Sequence, residues 1–216
     1  MSGANDNPGL SGSIPAPAWF IAALLPMVAS QLVRLQQTDP ATWIACDYAG
    51  RIGALAVLAT IPAARAIAFQ KSRLAISWWE VAAWILATVF VDRLLDGVIS
   101  KAFGPALANT RIATYPVTTG WLYVIDIAFG LALVAISEEI LFRRCARCVL
   151  QPYLGSGVAM IAASALLFGA YHWWTGIGNI ISVTLIGVML MVFYRRSKAL
   201  WPVVTAHYVT NIVAFA

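Results

Sequence analysis

Two adjacent carboxylates, Glu138 and Glu139, close an apolar run in the segment AISEEILFRR, residues 135–144, and Arg143 follows the second by four residues. The chain has two histidines, His172 and His207. His172 ends the apolar stretch LLFGAYH, and His207 opens HYVTN, with Asn211 four residues on. On a helix, Glu139 and Arg143 stand at the spacing where side chains meet, so they pair and Glu139 stays ionised and structural. Glu138 lies about 100° further round and is presented elsewhere, to a cavity. His207 and Asn211 share one helix face. A carboxylate, two imidazoles and a carboxamide on separate helices form a set suited to peptide hydrolysis. The carboxylate takes a proton from water, while imidazole and amide donors hold the oxyanion.

The elements that must position these groups are membrane helices. The chain has 216 residues, of which 61% are hydrophobic and 11% charged. A soluble domain of that size cannot cover so much apolar surface. Apolar runs of about 18 or more residues indicate spans, and the runs predict seven helices at 18–36, 43–69, 77–101, 119–147, 156–174, 177–195 and 199–216. The fold class is therefore all-α, a polytopic transmembrane bundle: a flexible tail at 1–17 and one domain at 18–216. An ionisable group at membrane depth costs about 2.5–3.5 kcal/mol on insertion scales, so such groups face a bundle interior or a wet cavity. A single Glu–Arg pair is ordinarily structural, and a single membrane histidine ordinarily an interhelical hydrogen bonder. It is their joint pattern that points to catalysis. Cys46, Cys145 and Cys148 make no disulfide framework, and the Cys145–Cys148 pair reads as two reduced thiols.

The net charge of +5 does not indicate nucleic acid, because the basic residues fall in short clusters between apolar runs. Arg65, Lys71 and Arg73 follow span two; Arg143, Arg144 and Arg147 close span four; Arg195, Arg196 and Lys198 follow span six. The opposite loops and helix ends carry Arg34, Arg51, Arg93, Lys101 and Arg111, offset by aspartates. The positive-inside rule makes the clustered side cytoplasmic, with the N-terminus inside and the C-terminus outside. Trp19, Trp43, Trp78, Trp79, Trp121, Trp173, Trp174 and Trp201 lie near predicted helix ends, as interfacial anchors should. Depths are harder to reconcile. His207 and Glu138 fall about 12–13 Å from the cytoplasmic ends of their spans and His172 about 24 Å. The expectation is that span five begins outside the bilayer, projecting with the QPYLGSG turn, and that the site sits in a cavity open to the cytoplasm.

Three motifs carry a family resemblance: Glu138-Glu139-Ile140-Leu141-Phe142-Arg143 as EExxxR, Phe168–His172 as FxxxH, and His207–Asn211 as HxxxN. In this order they resemble the CAAX protease and bacteriocin-processing family (CPBP, or ABI), over a core at about 119–216. The resemblance implies an intramembrane endopeptidase related to the type II CAAX prenyl endopeptidases. It implies Glu138 as the residue that activates water and His172 as its assistant. His207 and Asn211 would form the oxyanion hole, with Glu139 and Arg143 in support. It implies no cofactor, with zinc on Glu138, His172 and His207 as the alternative. The partners it implies are membrane lipid and a peptide or membrane-protein substrate, with or without a lipid anchor. The location expected is a bacterial plasma membrane. Two readings stand beside it: a non-catalytic scaffold or bacteriocin-immunity protein of the same fold, and a small transporter using Asp47, Asp92, Asp96 and Asp126.

Overall fold

The computed structural model describes residues 15–215, and among these every regular element is a helix. Most of the tail expected at 1–17 lies outside the described residues. The elements are α1 (Ala16–Arg34), α2 (Pro40–Thr60), α3 (Pro62–Ala68), α4 (Trp78–Leu107), α5 (Gly120–Ile125), α6 (Leu131–Glu139), α7 (Ala146–Leu154), α8 (Val158–Tyr171), α9 (Ile177–Ser197) and α10 (Trp201–Phe215). Local chemistry sets several ends. Asp39 caps α2 by accepting from the Thr42 amide at 2.8 Å and the Thr42 hydroxyl at 2.7 Å, and Pro40 at the first position gives up no needed donor. The Thr42 hydroxyl, then its amide, hold the Asp39 carboxyl below the usual carboxylate range. The cap is therefore complete at neutral pH and is lost only as pH falls through that depressed value.

The single helix predicted at 43–69 is broken. Pro62 pushes the preceding Ile61 into extended backbone (φ −91°, ψ 112°), and α3 turns away from α2 by 113°. Helices α1 and α9 are long and apolar enough to cross a membrane, and the bent α2–α3 pair is a third candidate if counted as one span. Helix α4 is 30 residues long but carries Glu80, Asp92, Arg93, Asp96 and Lys101. Helices α8 and α10 have 14 and 15 residues, short of the roughly 20 that a perpendicular span needs. Large apolar side chains such as Leu25, Ile52, Leu86, Phe90 and Leu166 are exposed around the bundle. So many exposed large apolar side chains suit a surface that faces lipid. The protein is an integral membrane helical bundle.

Residues 120–154 run as one helix, α5 to α7, widened into π turns at Asp126–Gly130 and Ile140–Cys145. A π turn disturbs the regular hydrogen-bond ladder, and each here has an outside partner. Tyr208 donates its hydroxyl to the carbonyls of Ile127 and Ala128 at 3.1 and 3.2 Å, and Ser164 donates to the Phe142 carbonyl at 2.6 Å. The helix continues to Leu154, seven residues beyond the predicted end. From there Glu138 is about 24 Å back along α7 and α6, and His172 about 21 Å from Val158 along α8, at about 1.5 Å per residue. The exposed turn at 155–157 thus folds the two residues to one level, which removes the mismatch in depth.

Helices pack closely where glycine allows it. A Cβ on Gly169 of α8 would strike the Thr184 hydroxyl and lie 3.1 Å from the Ile180 carbonyl of α9, so only glycine lets these backbones approach. Gly169→Leu should destabilise the protein by about 1–3 kcal/mol, read as a lowered unfolding temperature in detergent. One end of the bundle gathers the basic clusters. Arg144 donates to the Ala68 carbonyl and to Ser72, the Ala75 amide meets the Ser197 carbonyl at 2.8 Å, and Arg196 pairs with Glu80 at 2.7 Å. Several tryptophans expected as anchors are instead core. Trp19, Trp43 and Trp174 are buried, while Trp78, Trp79, Trp121, Trp173 and Trp201 are exposed. Trp43 and Trp174 are taken inside because both rings stack on a buried guanidinium, that of Arg34.

Candidate active site

Glu139 and Arg143 flank the start of the second π turn. Arg143 Nε donates to Glu139 Oε2 at 2.7 Å and Nη2 to Oε1 at 3.3 Å, with both side chains fully buried. The pairing expected from four-residue spacing survives the wider turn. The same Oε1 also meets His207 Nδ1 at 2.9 Å, from α10. An ionised carboxylate only accepts, so His207 carries a proton on Nδ1. Its Nε2 then points at the neighbouring carboxylate, 3.8 Å from Glu138 Oε2.

His172 reaches that oxygen from the end of α8. Its Nδ1 lies 2.9 Å from the Phe168 carbonyl, four residues earlier, and a carbonyl only accepts, so this proton too sits on Nδ1. His172 Nε2 is 3.9 Å from Glu138 Oε2. The FxxxH spacing is thus a fastening: the backbone of the phenylalanine fixes the imidazole tautomer, and its ring packs edge-on to both histidines. Glu138 Oε2 is buried without a hydrogen-bond partner, among the described residues. It faces two imidazole nitrogens across gaps too long for direct bonds and suited to a bridging water.

The other oxygen of Glu138 is held by a residue that sequence reasoning placed elsewhere. Arg51, at mid-length in α2, donates Nη1 to Glu138 Oε1 at 2.8 Å and to Ser137 Oγ at 3.1 Å. Its Nε binds Asp47 Oδ2 at 2.7 Å, and Asp47 pairs in turn with Arg34 of α1. The Arg34 guanidinium carbon lies 4.3 Å from the Trp43 ring centre and 4.8 Å from that of Trp174. Arg34, Asp47 and Arg51 are therefore not solvated charges at outer helix ends. They form an alternating buried chain, and burial is tolerated because each charge meets its opposite. The Asp47–Arg51 spacing of four was the one signal available; the partner in Glu138 is remote in sequence. Asp126, one of the aspartates of the transporter reading, is buried and accepts from the hydroxyls of Tyr48 and Tyr115 at 2.6 and 2.8 Å.

A cavity of about 360 Å³ joins these groups. Glu138, His172, His207 and Asn211 all line it, so the structure brings the four expected catalytic residues to one space. Asn211 is half-buried, one turn beyond His207 and nearer the mouth. The direction of the opening differs from expectation. The exposed lining residues Arg111, Thr114 and Phe215 lie at the end opposite the basic clusters. Toward the basic end Leu141, Phe142, Phe168 and Phe193 are all buried, and none of them lines the cavity. The cavity opens away from the basic end because the motif side chains point into the half of the bundle where α9 begins and α10 finishes. Among the described residues, no group of three His, Cys, Asp or Glu side chains is placed to hold a metal ion.

Residues 120–213 match a family described as Rce1-like, type II CAAX prenyl endopeptidase. That segment holds all three motifs and ends two residues past Asn211. No curated protein and no solved structure matches the chain.

Proposed function

From an Rce1-like segment spanning 120–213, that of the type II CAAX prenyl endopeptidases, we propose that this integral membrane protein hydrolyses a peptide bond with a water activated by Glu138. The observation that supports this best is the unpartnered Glu138 Oε2 facing the Nε2 atoms of His172 and His207 at 3.9 and 3.8 Å. A water seated among these three atoms donates one hydrogen to the carboxylate and one to an imidazole. Its lone pair is left toward the cavity, where the scissile carbonyl would lie. Glu138 then takes the proton as the oxygen–carbon bond forms and passes it to the leaving nitrogen.

Each neighbour has a definite task. Neutral His172, with its Nδ1 proton committed to a carbonyl, offers Nε2 as an acceptor that orients the water. His207 is fixed by Glu139 through Nδ1; with both ring nitrogens protonated it presents Nε2–H as a donor. With the Asn211 amide one turn on, it supplies the oxyanion hole. Arg143 neutralises Glu139, and Arg51 holds Glu138 by the oxygen that does not react.

The same three side chains are the zinc alternative, and their arrangement fits it poorly. Ligands about 2.0–2.1 Å from a tetrahedral ion lie closer to one another than 3.8–3.9 Å. The Arg51 guanidinium on Glu138 also adds positive charge where a dication would bind. The reading is therefore metal-free. In this reading the chain sits in a bacterial plasma membrane and crosses it about seven times, with α1, α2 together with α3, α4, the 120–154 helix, α8, α9 and α10 as the crossings. The N-terminus lies on the cytoplasmic side and the C-terminus outside. Substrates are peptides or membrane proteins, prenylated or not, met within the lipid.

The test uses purified protein in detergent with prenylated and unprenylated peptide libraries, with and without a zinc chelator. Cleavage that survives chelation and falls in His207→Ala supports the reading. Loss on chelation that zinc restores would make Glu138, His172 and His207 ligands instead.

A further inference from the structure

A groove of about 730 Å³ lies beside α7, at the end of the bundle that gathers the basic clusters. It shares no lining residue with the cavity of Glu138. We propose that this groove binds a phosphate group, with the headgroup of an anionic lipid as its source.

The first observation is a buried cation that lacks a counter-charge. Arg144 is 8% exposed, and a guanidinium carries five N–H donors. Nη1 donates to the Ala68 carbonyl at 2.8 Å and Nη2 to the Ser72 hydroxyl at 3.2 Å, both neutral groups. Nε has no partner among the described residues. A buried charge is costly unless an opposite charge meets it. Every other buried arginine among the described residues has one: Arg34 and Arg51 on Asp47, and Arg143 on Glu139. At the basic end Glu80 is committed to Arg196. Arg144 is the exception, and it lines the groove.

The second observation is another cation on the same face. Arg147 follows Arg144 by three residues, a spacing at which helical side chains are neighbours and like charges repel. Arg147 also lines the groove, and its Nε reaches the neutral Gln151 at 3.3 Å. An anion held between the two turns a repulsive pair into a clamp, and the guanidinium fork matches phosphate oxygens. Gln70 and Gln151 line the same space and bring amide donors. The surroundings favour a lipid as the source. Ile67 and Pro152 complete the lining, and Phe69, Tyr153 and Leu154, next to lining residues in the chain, are exposed. Arginines with an apolar rim suit a molecule with phosphate at one end and acyl chains at the other.

The experiment follows thermal unfolding of the purified full chain in detergent as phosphatidylglycerol, phosphatidylcholine or inorganic phosphate is added. Phosphatidylglycerol should raise the unfolding temperature in a saturable way, as a ligand of the folded state does, and phosphatidylcholine should not. Arg147→Gln, half-buried and bonded to a neutral partner, should fold normally and weaken the apparent affinity by about tenfold or more. Arg144→Gln should abolish the response. Arg65→Gln, an exposed cation of the same end outside the groove, should respond as the wild type does. A shift with phosphatidylglycerol alone assigns the phosphate to a lipid. A shift with inorganic phosphate that Arg147→Gln weakens equally assigns it to a free anion. Equal shifts with phosphatidylcholine, an Arg147→Gln that responds as the wild type does, or an equal loss in Arg65→Gln would each overturn the site. Unfolding needs no turnover, so the result is the same whether or not the protein cleaves a peptide.

Discussion

Glu138→Gln is expected to lower peptide cleavage by about 100- to 10,000-fold, the range a positioned general base supplies, while the protein stays folded. Glutamine keeps an oxygen where Arg51 Nη1 donates at 2.8 Å, so the buried guanidinium retains an acceptor there and Asp47 at its Nε. What is lost is basicity at Oε2. Glu139→Gln makes the contrast. It weakens two partners at once, Arg143 at 2.7 Å and His207 at 2.9 Å, and leaves a fully buried cation short of its counter-charge. Its larger effect should be on unfolding temperature, with a partial loss of rate through a misplaced His207. Thermal unfolding and kcat, measured side by side, separate the two glutamates. Equal stability losses with equal rate losses would remove the division of labour proposed for the pair.

Arg51→Gln should be the most damaging change outside the family-matched segment. Two buried carboxylates, Asp47 and Glu138, then share no cation between them, and Arg34 alone remains on Asp47. Removing one partner of a buried pair costs about 3–5 kcal/mol because the other charge stays unsolvated. Pairing Arg51→Gln with Glu138→Gln in one chain removes that stranded charge and should recover much of the unfolding temperature. Arg51→Lys keeps the charge but has one ammonium in place of a fork that binds Asp47 through Nε and Glu138 through Nη1, so it should rescue only in part. A double variant no more stable than Arg51→Gln alone would mean that the guanidinium matters for packing and not for the charge of Glu138.

The motif spacings were legible because they are local. A Glu and an Arg four apart meet on a helix whatever surrounds it, and Glu139–Arg143 does so even across a π turn. His207 and Asn211 share a face for the same reason. The all-helical membrane class followed from composition, since lipid leaves the backbone few other options. Arg51 was not legible: its partner is 87 residues away in sequence, and a charge in an apolar helix reads the same whether it ends in water or on a carboxylate. Trp43 and Trp174 were misplaced for a related reason, because a tryptophan near a helix end fits an interface and a cation equally well.

Sequence by itself thus determined the apolar composition, the helical order of the three motifs and which side chains are the candidates for the chemistry, all properties of short stretches with a fixed period. Only the tertiary structure decided that α2 brings Arg51 to Glu138, that the long 120–154 helix levels Glu138 with His172, and that the cavity opens away from the basic end. Those depend on how helices of unequal length and tilt are brought together. Packing between remote residues fixes that, and no local spacing encodes it.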